Sequence, residues 1–140
     1  MEQLLEVKNL SVSIDSPAGE VQAVRDVSFS LKKGEVLAIV GESGCGKSML
    51  CKSIMKLLPP SARIKNGSIS VCGQDITCSR EKEMQNLRGK VFSMIFQDPL
   101  TALNPTIKIG KQIAEAVLVH HKTYTRDEVY QKVLELMKLV

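Results

Sequence analysis

The stretch Gly41-Glu42-Ser43-Gly44-Cys45-Gly46-Lys47-Ser48 constrains this chain more than any other. It fits the pattern G-x-x-x-x-G-K-[ST] at every fixed position. The surroundings are those the pattern demands. Val36-Leu37-Ala38-Ile39-Val40 is continuously apolar, which predicts a strand buried on both faces of a sheet. From Lys47 to about Leu58, the spacing of Met49, Leu50, Ile54 and Leu57 predicts a helix, stopped by Pro59-Pro60.

Each fixed residue has a physical task. Gly41, Gly44 and Gly46 open backbone angles closed to other residues and let main-chain amides approach a ligand. Those amides form an anion-binding nest, and the following helix points its positive end at the same place. Lys47 is placed to reach the β- and γ-phosphates of a nucleotide, and the Ser48 hydroxyl to ligate Mg²⁺. The candidate nucleotide contacts are Gly41, Glu42, Ser43, Gly44, Cys45, Gly46, Lys47, Ser48 and Met49, with Ser48 also a candidate metal ligand. A structural glycine turn is the alternative, and the flanking strand and helix argue against it. Cys45 has two readings: a thiol made reactive by the helix end and a nearby lysine, or a small residue that fits the loop.

Upstream, Leu10, Val12 and Ile14 alternate with Ser11 and Ser13, as in a half-buried strand. Asp15–Gly19 supplies turn residues, Val21–Val24 resumes as a partner, and Val27, Phe29 and Leu31 alternate again. Downstream, Asn66-Gly67 reads as a turn before the strand Ser68–Val71. Ser79 is the expected cap of a short helix carrying Glu81 and Glu83 in its first turn. Val91–Phe96 reads as another buried strand, and Pro99, Asn104 and Pro105 as a loop. Ile109, Ile113 and Val117 suggest a helix. A last helix begins at the capping box Thr125–Glu128, with Val129, Val133, Leu136, Met137 and Val140 as its apolar stripe. That stripe is still running at Val140, which predicts a longer parent protein.

At 140 residues the chain suits one domain, and 44% apolar with 24% charged residues is ordinary for a folded protein. The net charge of +4 is mild and reads as a solvated face. No apolar run approaches the ~18 residues of a membrane-spanning helix, and the first residues lack the pattern of a signal peptide. Cys45, Cys51, Cys72 and Cys78 form neither C-x-x-C pairs nor a dense disulfide framework, so free thiols in a reducing compartment are expected.

A second constellation narrows the class. Gln97 ends the predicted strand Val91–Phe96, 50 positions after Lys47, and Asp98-Pro99-Leu100-Thr101-Ala102-Leu103-Asn104-Pro105 follows. With Leu4-Leu5-Glu6-Val7-Lys8-Asn9-Leu10, Ala23-Val24-Arg25-Asp26-Val27-Ser28-Phe29 and Lys33-Gly34-Glu35, the chain resembles the ATP-binding subunits of ABC transporters along its whole length. The Phe96–Pro105 stretch is similar to the branch that imports oligopeptides, dipeptides or nickel.

The resemblance implies an α/β fold: a P-loop NTPase core with an N-terminal antiparallel β-subdomain and the start of an α-helical subdomain, a truncated ABC ATPase domain. Residues 1–140 would form a partial ATP-binding domain, with 1–105 the β-subdomain and core and 106–140 the start of the helical subdomain. It implies ATP and Mg²⁺ as ligands. Gln97 would contact Mg²⁺ or the attacking water, a role that suits a neutral amide with both donor and acceptor. The implied partners are transmembrane subunits and a second ATP-binding subunit, at the cytoplasmic face of the membrane, with no nucleic acid.

The sequence departs from the family pattern in two ways. Where an aromatic residue commonly stacks on adenine, the matching position is Ile14. The family's Leu-Ser-Gly-Gly-Gln signature, its strand ending in Asp-Glu and its switch histidine do not occur among these residues, and His120 and His121 read as surface residues at a helix end. These 140 residues alone are therefore expected to bind nucleotide without turning it over at the family's rate. A P-loop kinase acting on a small acceptor and a non-hydrolysing interaction protein are the alternatives.

Overall fold

The computed structural model describes residues 3–98 and 102–140; Pro99-Leu100-Thr101, read above as part of a loop, lies outside the described residues. The chain divides into two compact units, Met1–Gln85 and Asn86–Val140.

The first unit is built on a hairpin. Strands β1 (Gln3–Ser16) and β2 (Gly19–Lys32) pair antiparallel around Pro17-Ala18. Strand β3 (Ala62–Val71) takes the other side of β1, and the short β4 (Gln74–Asp75) closes the order β2-β1-β3-β4. Central β1 buries Val7, Leu10 and Val12.

Val7 and Leu10 are three positions apart yet both buried, which plain alternation forbids. A register shift between them resets the pattern. At the irregularity Asn9 and Asp26 adopt φ of 48° and 47°, and Asn9 Nδ2 donates to Asp26 Oδ1 at 2.9 Å. The Asn9 N–H donates to Ser28 Oγ at 2.7 Å, and the Asp26 N–H to Ser11 Oγ at 3.1 Å. Two serine hydroxyls thus accept from amides that the disturbed ladder leaves over. This is why Val21–Val24 and Val27–Leu31, which read as separate pieces, are one strand.

Asn66-Gly67 is likewise not a turn. Gly67 lies inside β3 at φ 92°, and a Cβ there would meet the carbonyl oxygens of Lys8 and Asn9. The glycine marks close approach to the bulged β1 rather than a chain reversal.

Helix α1 (Lys47–Ile54) is shorter than the apolar spacing predicts. It ends in a Schellman arrangement: the Leu57 N–H donates to the Lys52 carbonyl at 2.8 Å and the Lys56 N–H to that of Ser53 at 3.0 Å. Lys56 sits at φ 51°, a left-handed conformation that costs a side-chain-bearing residue about 1–2 kcal/mol. The helix has therefore ended before Pro59-Pro60 can act. Helix α2 (Glu81–Leu87) begins after Arg80, not at a Ser79 cap. The Arg80 carbonyl accepts from the Glu83 and Met84 amides, and the Arg80 N–H donates to Glu83 Oε2 at 2.7 Å. A glutamate reaches back three residues, and that selects Arg80.

The two buried strands expected at Val36–Val40 and Val91–Phe96 are not strands. Neither run belongs to a ladder among the described residues, apart from one parallel bridge between Arg88 and Phe92. Val36 is 96% exposed, Val40 88% and Ile95 92%. A continuously apolar run carries the preference for a buried strand, but only a neighbour about 4.8 Å away makes it one.

In the second unit, α3 (Ile109–His120) and α4 (Arg126–Lys138) pack through Val117, Val129 and Val133, flanked by Ile113, Ala114 and Leu136. The capping box is present: Thr125 Oγ1 accepts from the Glu128 N–H at 3.4 Å, and Glu128 Oε2 accepts from the Thr125 N–H at 2.7 Å. His121 is exposed and stacks on Tyr124 with centroids 4.5 Å apart. His120 is half-buried, not a surface residue, because the turn at Gly89 folds over it. A Cβ on Gly89 would lie 2.5 Å from His120 Nε2.

Two outcomes are expected. Gly67→Ala should cost at least ~2 kcal/mol, read as a lowered denaturant midpoint, because the added Cβ meets backbone and φ is unsuited to it. Thr125→Ala should cost about 1 kcal/mol in the same measurement. The Thr125 backbone N–H, then its hydroxyl, hold the Glu128 carboxyl below its usual range. That contribution is therefore complete above the ordinary carboxylate pKa and fades as pH falls through the depressed one. The gap between wild type and Thr125→Ala should narrow in acid.

Candidate phosphate-binding site

The loop between the end of β2 and α1 is fixed at Gly46. This residue precedes α1 at φ 97°, and a Cβ on it would collide with the carbonyl oxygen of Ala23 on β2. The helix start thus lies directly on the hairpin's backbone, with Val24 Cγ2 3.9 Å from the same point. Gly44 also has positive φ, 81°, but open space around it. Gly41 is tight for another reason: a Cβ would sit 2.6 Å from Cys45 Sγ. The Cys45 thiol is exposed and sits against Gly41 within the loop.

Lys47 folds back over the loop. Its Nζ donates to the carbonyls of Gly41 at 2.8 Å and Glu42 at 2.7 Å, and lies 3.5 Å from Cys45 Sγ. The ammonium therefore bridges the start of the loop and its far limb. No side chain caps α1, and its first turn holds no acidic residue. The first-turn amides have no intrahelical acceptor, so no side chain of the helix compensates its positive end. Ser48 is exposed beside them, while Leu50 is buried and anchors the turn. Buried Ser53 satisfies its hydroxyl on the Met49 carbonyl at 2.6 Å.

A cavity of about 620 Å³ opens here, lined by Gly44, Cys45, Gly46, Lys47 and Met49 from the loop and helix. Ile14, Val21 and Arg25 line it from the hairpin. Ile14, the position matched to an adenine contact, thus shares one cavity with the phosphate loop. Val21 and Arg25 join the site through the fold, because only the folded hairpin places them beside the loop. Glu42, Ser43 and Ser48 are exposed and do not line the cavity. Gln97 lies in the second unit, exposed, in the irregular stretch after Phe92.

The sequence pattern of ABC transporters matches residues 24–140. The chain belongs to the ABC transporter family. It is 53% identical over 139 residues to the oligopeptide transport ATP-binding protein OppD of Bacillus subtilis, covering 99% of this chain and 38% of that protein. It is 49% identical to the dipeptide transport ATP-binding protein DppD of Lactococcus lactis, covering 99% of this chain and 40% of that one. The chain thus spans about two fifths of the length of these curated relatives. Among solved structures, a dimeric ATP-binding cassette in a post-hydrolysis state, bound to ADP and Pi, superimposes with a TM-score of 0.78 at 19% identity. That match covers 97% of this chain and 56% of the cassette, and it establishes the ABC ATPase fold. Among the described residues no helix is long and apolar enough to cross a membrane.

The two glycines of the loop should respond differently. Gly44→Ala adds a Cβ to open space and should cost about 1–2 kcal/mol, the backbone strain alone. Gly46→Ala must also displace Ala23, and its thermal midpoint should fall clearly further than that of Gly44→Ala.

Proposed function

We propose that this chain forms the nucleotide-binding part of an ABC importer's ATP-binding subunit, and that the solute is a peptide. The observation that carries the ATP-binding reading is the loop itself. Left-handed glycines, an uncapped helix end and a lysine ammonium converge beside a cavity large enough for a nucleotide. The similarity to peptide-transport ATP-binding proteins supports the choice of solute.

In this reading the amides of Gly44, Gly46, Lys47, Ser48 and Met49 hold the phosphates. Lys47 exchanges the Gly41 and Glu42 carbonyls for phosphate oxygens. Ile14, Val21 and Val24 offer the base an apolar wall, with weaker stacking than an aromatic ring gives. Mg²⁺ fits Ser48, because this cation takes one or two protein oxygens and fills its shell with phosphate and water. Among the described residues no group of three or more His, Cys, Asp or Glu offers an all-protein site instead. When bound, Mg²⁺ neutralises charge on the β- and γ-oxygens. Gln97 is assigned to the water and metal side of the same nucleotide.

Residues 1–140 are assigned binding; turnover belongs to the whole subunit, working with a second ATP-binding subunit and with transmembrane subunits at the cytoplasmic face of the membrane. The helices from residue 106 onward are the part assigned to docking.

Calorimetric titration of the protein with Mg·ATP tests the reading. Lys47→Ala should weaken binding about 10- to 100-fold, the effect of losing a charge-assisted hydrogen bond. Equal affinity in wild type and Lys47→Ala would overturn the assignment of this loop.

A further inference from the structure

The end of α1 opposite the phosphate loop carries a residue that backbone economy does not explain. Position 56 closes the Schellman arrangement at φ 51°, where glycine is the usual occupant. Lysine stands there instead, half-buried, and its ammonium is committed: Nζ donates to the carbonyl of Thr77 at 2.7 Å and to that of Ser79 at 3.1 Å.

Those acceptors are held firmly. The Thr77 hydroxyl accepts from the Ile69 N–H at 2.8 Å, tying it to β3, and the Thr77 N–H donates to Asp75 Oδ1 at 2.7 Å. The Ile76 N–H donates to the Ile69 carbonyl at 2.9 Å, and Ile76 is fully buried. Lys56 also helps hold the Asp75 carboxyl below its usual range, after the larger contributions of the Thr77 hydroxyl and amide. The segment from Ile76 to Ser79 leads directly into Arg80 and α2. One ammonium thus joins the phosphate-loop helix to the β3–β4 end of the sheet and to the approach to α2.

We propose that Lys56 is a positioning residue for the phosphate loop, and that it links nucleotide at one end of α1 to the Ile76–Arg80 segment at the other. Helix α1 has eight residues, Lys47–Ile54, so its two ends lie only about 12 Å apart. Fixing its C-terminal end to Thr77 and Ser79 fixes the direction in which its first-turn amides point. A glycine would supply the same backbone turn without strain, but would leave that direction free. The inference rests on the ATP-binding reading above.

The test compares wild type, Lys56→Gly, Lys56→Met and Lys56→Arg in the full protein. Three readouts are needed: the denaturant midpoint, the affinity for Mg·ATP, and amide hydrogen exchange at Thr77, Ser79 and Arg80 with and without Mg·ATP. Lys56→Gly sheds the strained conformation together with the tether, so its midpoint should stay near wild type. Its ATP affinity should still fall about three- to tenfold. Lys56→Met keeps the strain and loses the tether, and should fall in both stability and affinity. Lys56→Arg should recover most of the affinity. ATP should slow exchange at the three amides in wild type and leave them unchanged in Lys56→Gly.

If wild type and Lys56→Gly bind ATP equally and ATP leaves the three amides unchanged in both, Lys56 serves stability alone and the proposal is wrong, while the ATP-binding reading stands. A wild-type protein that binds no ATP removes both. Should Lys56→Gly fail to fold, Lys56→Met against Lys56→Arg decides the same question.

Discussion

The contact between Gly46 and the Ala23 carbonyl governs the arrangement of the first unit. A helix start can approach a strand's backbone this closely only where no side chain intervenes. That approach brings the uncapped end of α1 beside β2 and lets the loop arch over the gap. It also makes one cavity from two stretches of chain, the hairpin with Ile14, Val21 and Arg25 and the loop with Gly44 to Lys47. The site is an adjacency between a glycine and a peptide carbonyl before it is a set of polar side chains.

The hairpin that supplies this carbonyl is itself irregular. The paired disturbance at Asn9 and Asp26 keeps Val7, Leu10 and Val12 on the buried side although their spacing is uneven. Ser11 and Ser28 accept amide hydrogen bonds at the disturbance, and Gly67 lets β3 pass the displaced β1 backbone. Five residues with turn or polar character are thus consumed in keeping two long strands continuous. They read locally as breaks because the propensities of Asn, Asp, Ser and Gly are those of loops; here a paired strand overrides them.

Much of the local chemistry was legible. The capping box at Thr125 and Glu128 needs only residues three apart, and it is formed as expected. The glycine loop and the start of α1 at Lys47 are likewise local. The end of α1 is not legible locally: the apolar spacing runs on to Leu57, while the helix is closed by a left-handed Lys56 whose tether, Thr77, lies 21 positions away. His120 reads as a surface residue because nothing near it in sequence announces the Gly89 turn that covers it.

Sequence by itself determined the chemistry offered: a glycine loop that fits the phosphate-binding pattern, a helix start beside it, a glutamine after an apolar run, and kinship with ABC transporters over residues 24–140. Each of these is a matter of residue type at fixed spacing. Tertiary structure alone decided which chain segments share a wall of the cavity, which polar residues mend a bulge, and where Lys56 spends its charge. It also decided that Val36–Val40 and Val91–Phe96, apolar enough for buried strands, form none among the described residues. Burial preference is a property of a segment, whereas a strand is a property of a pair, and pairing requires a neighbour that no local pattern can supply.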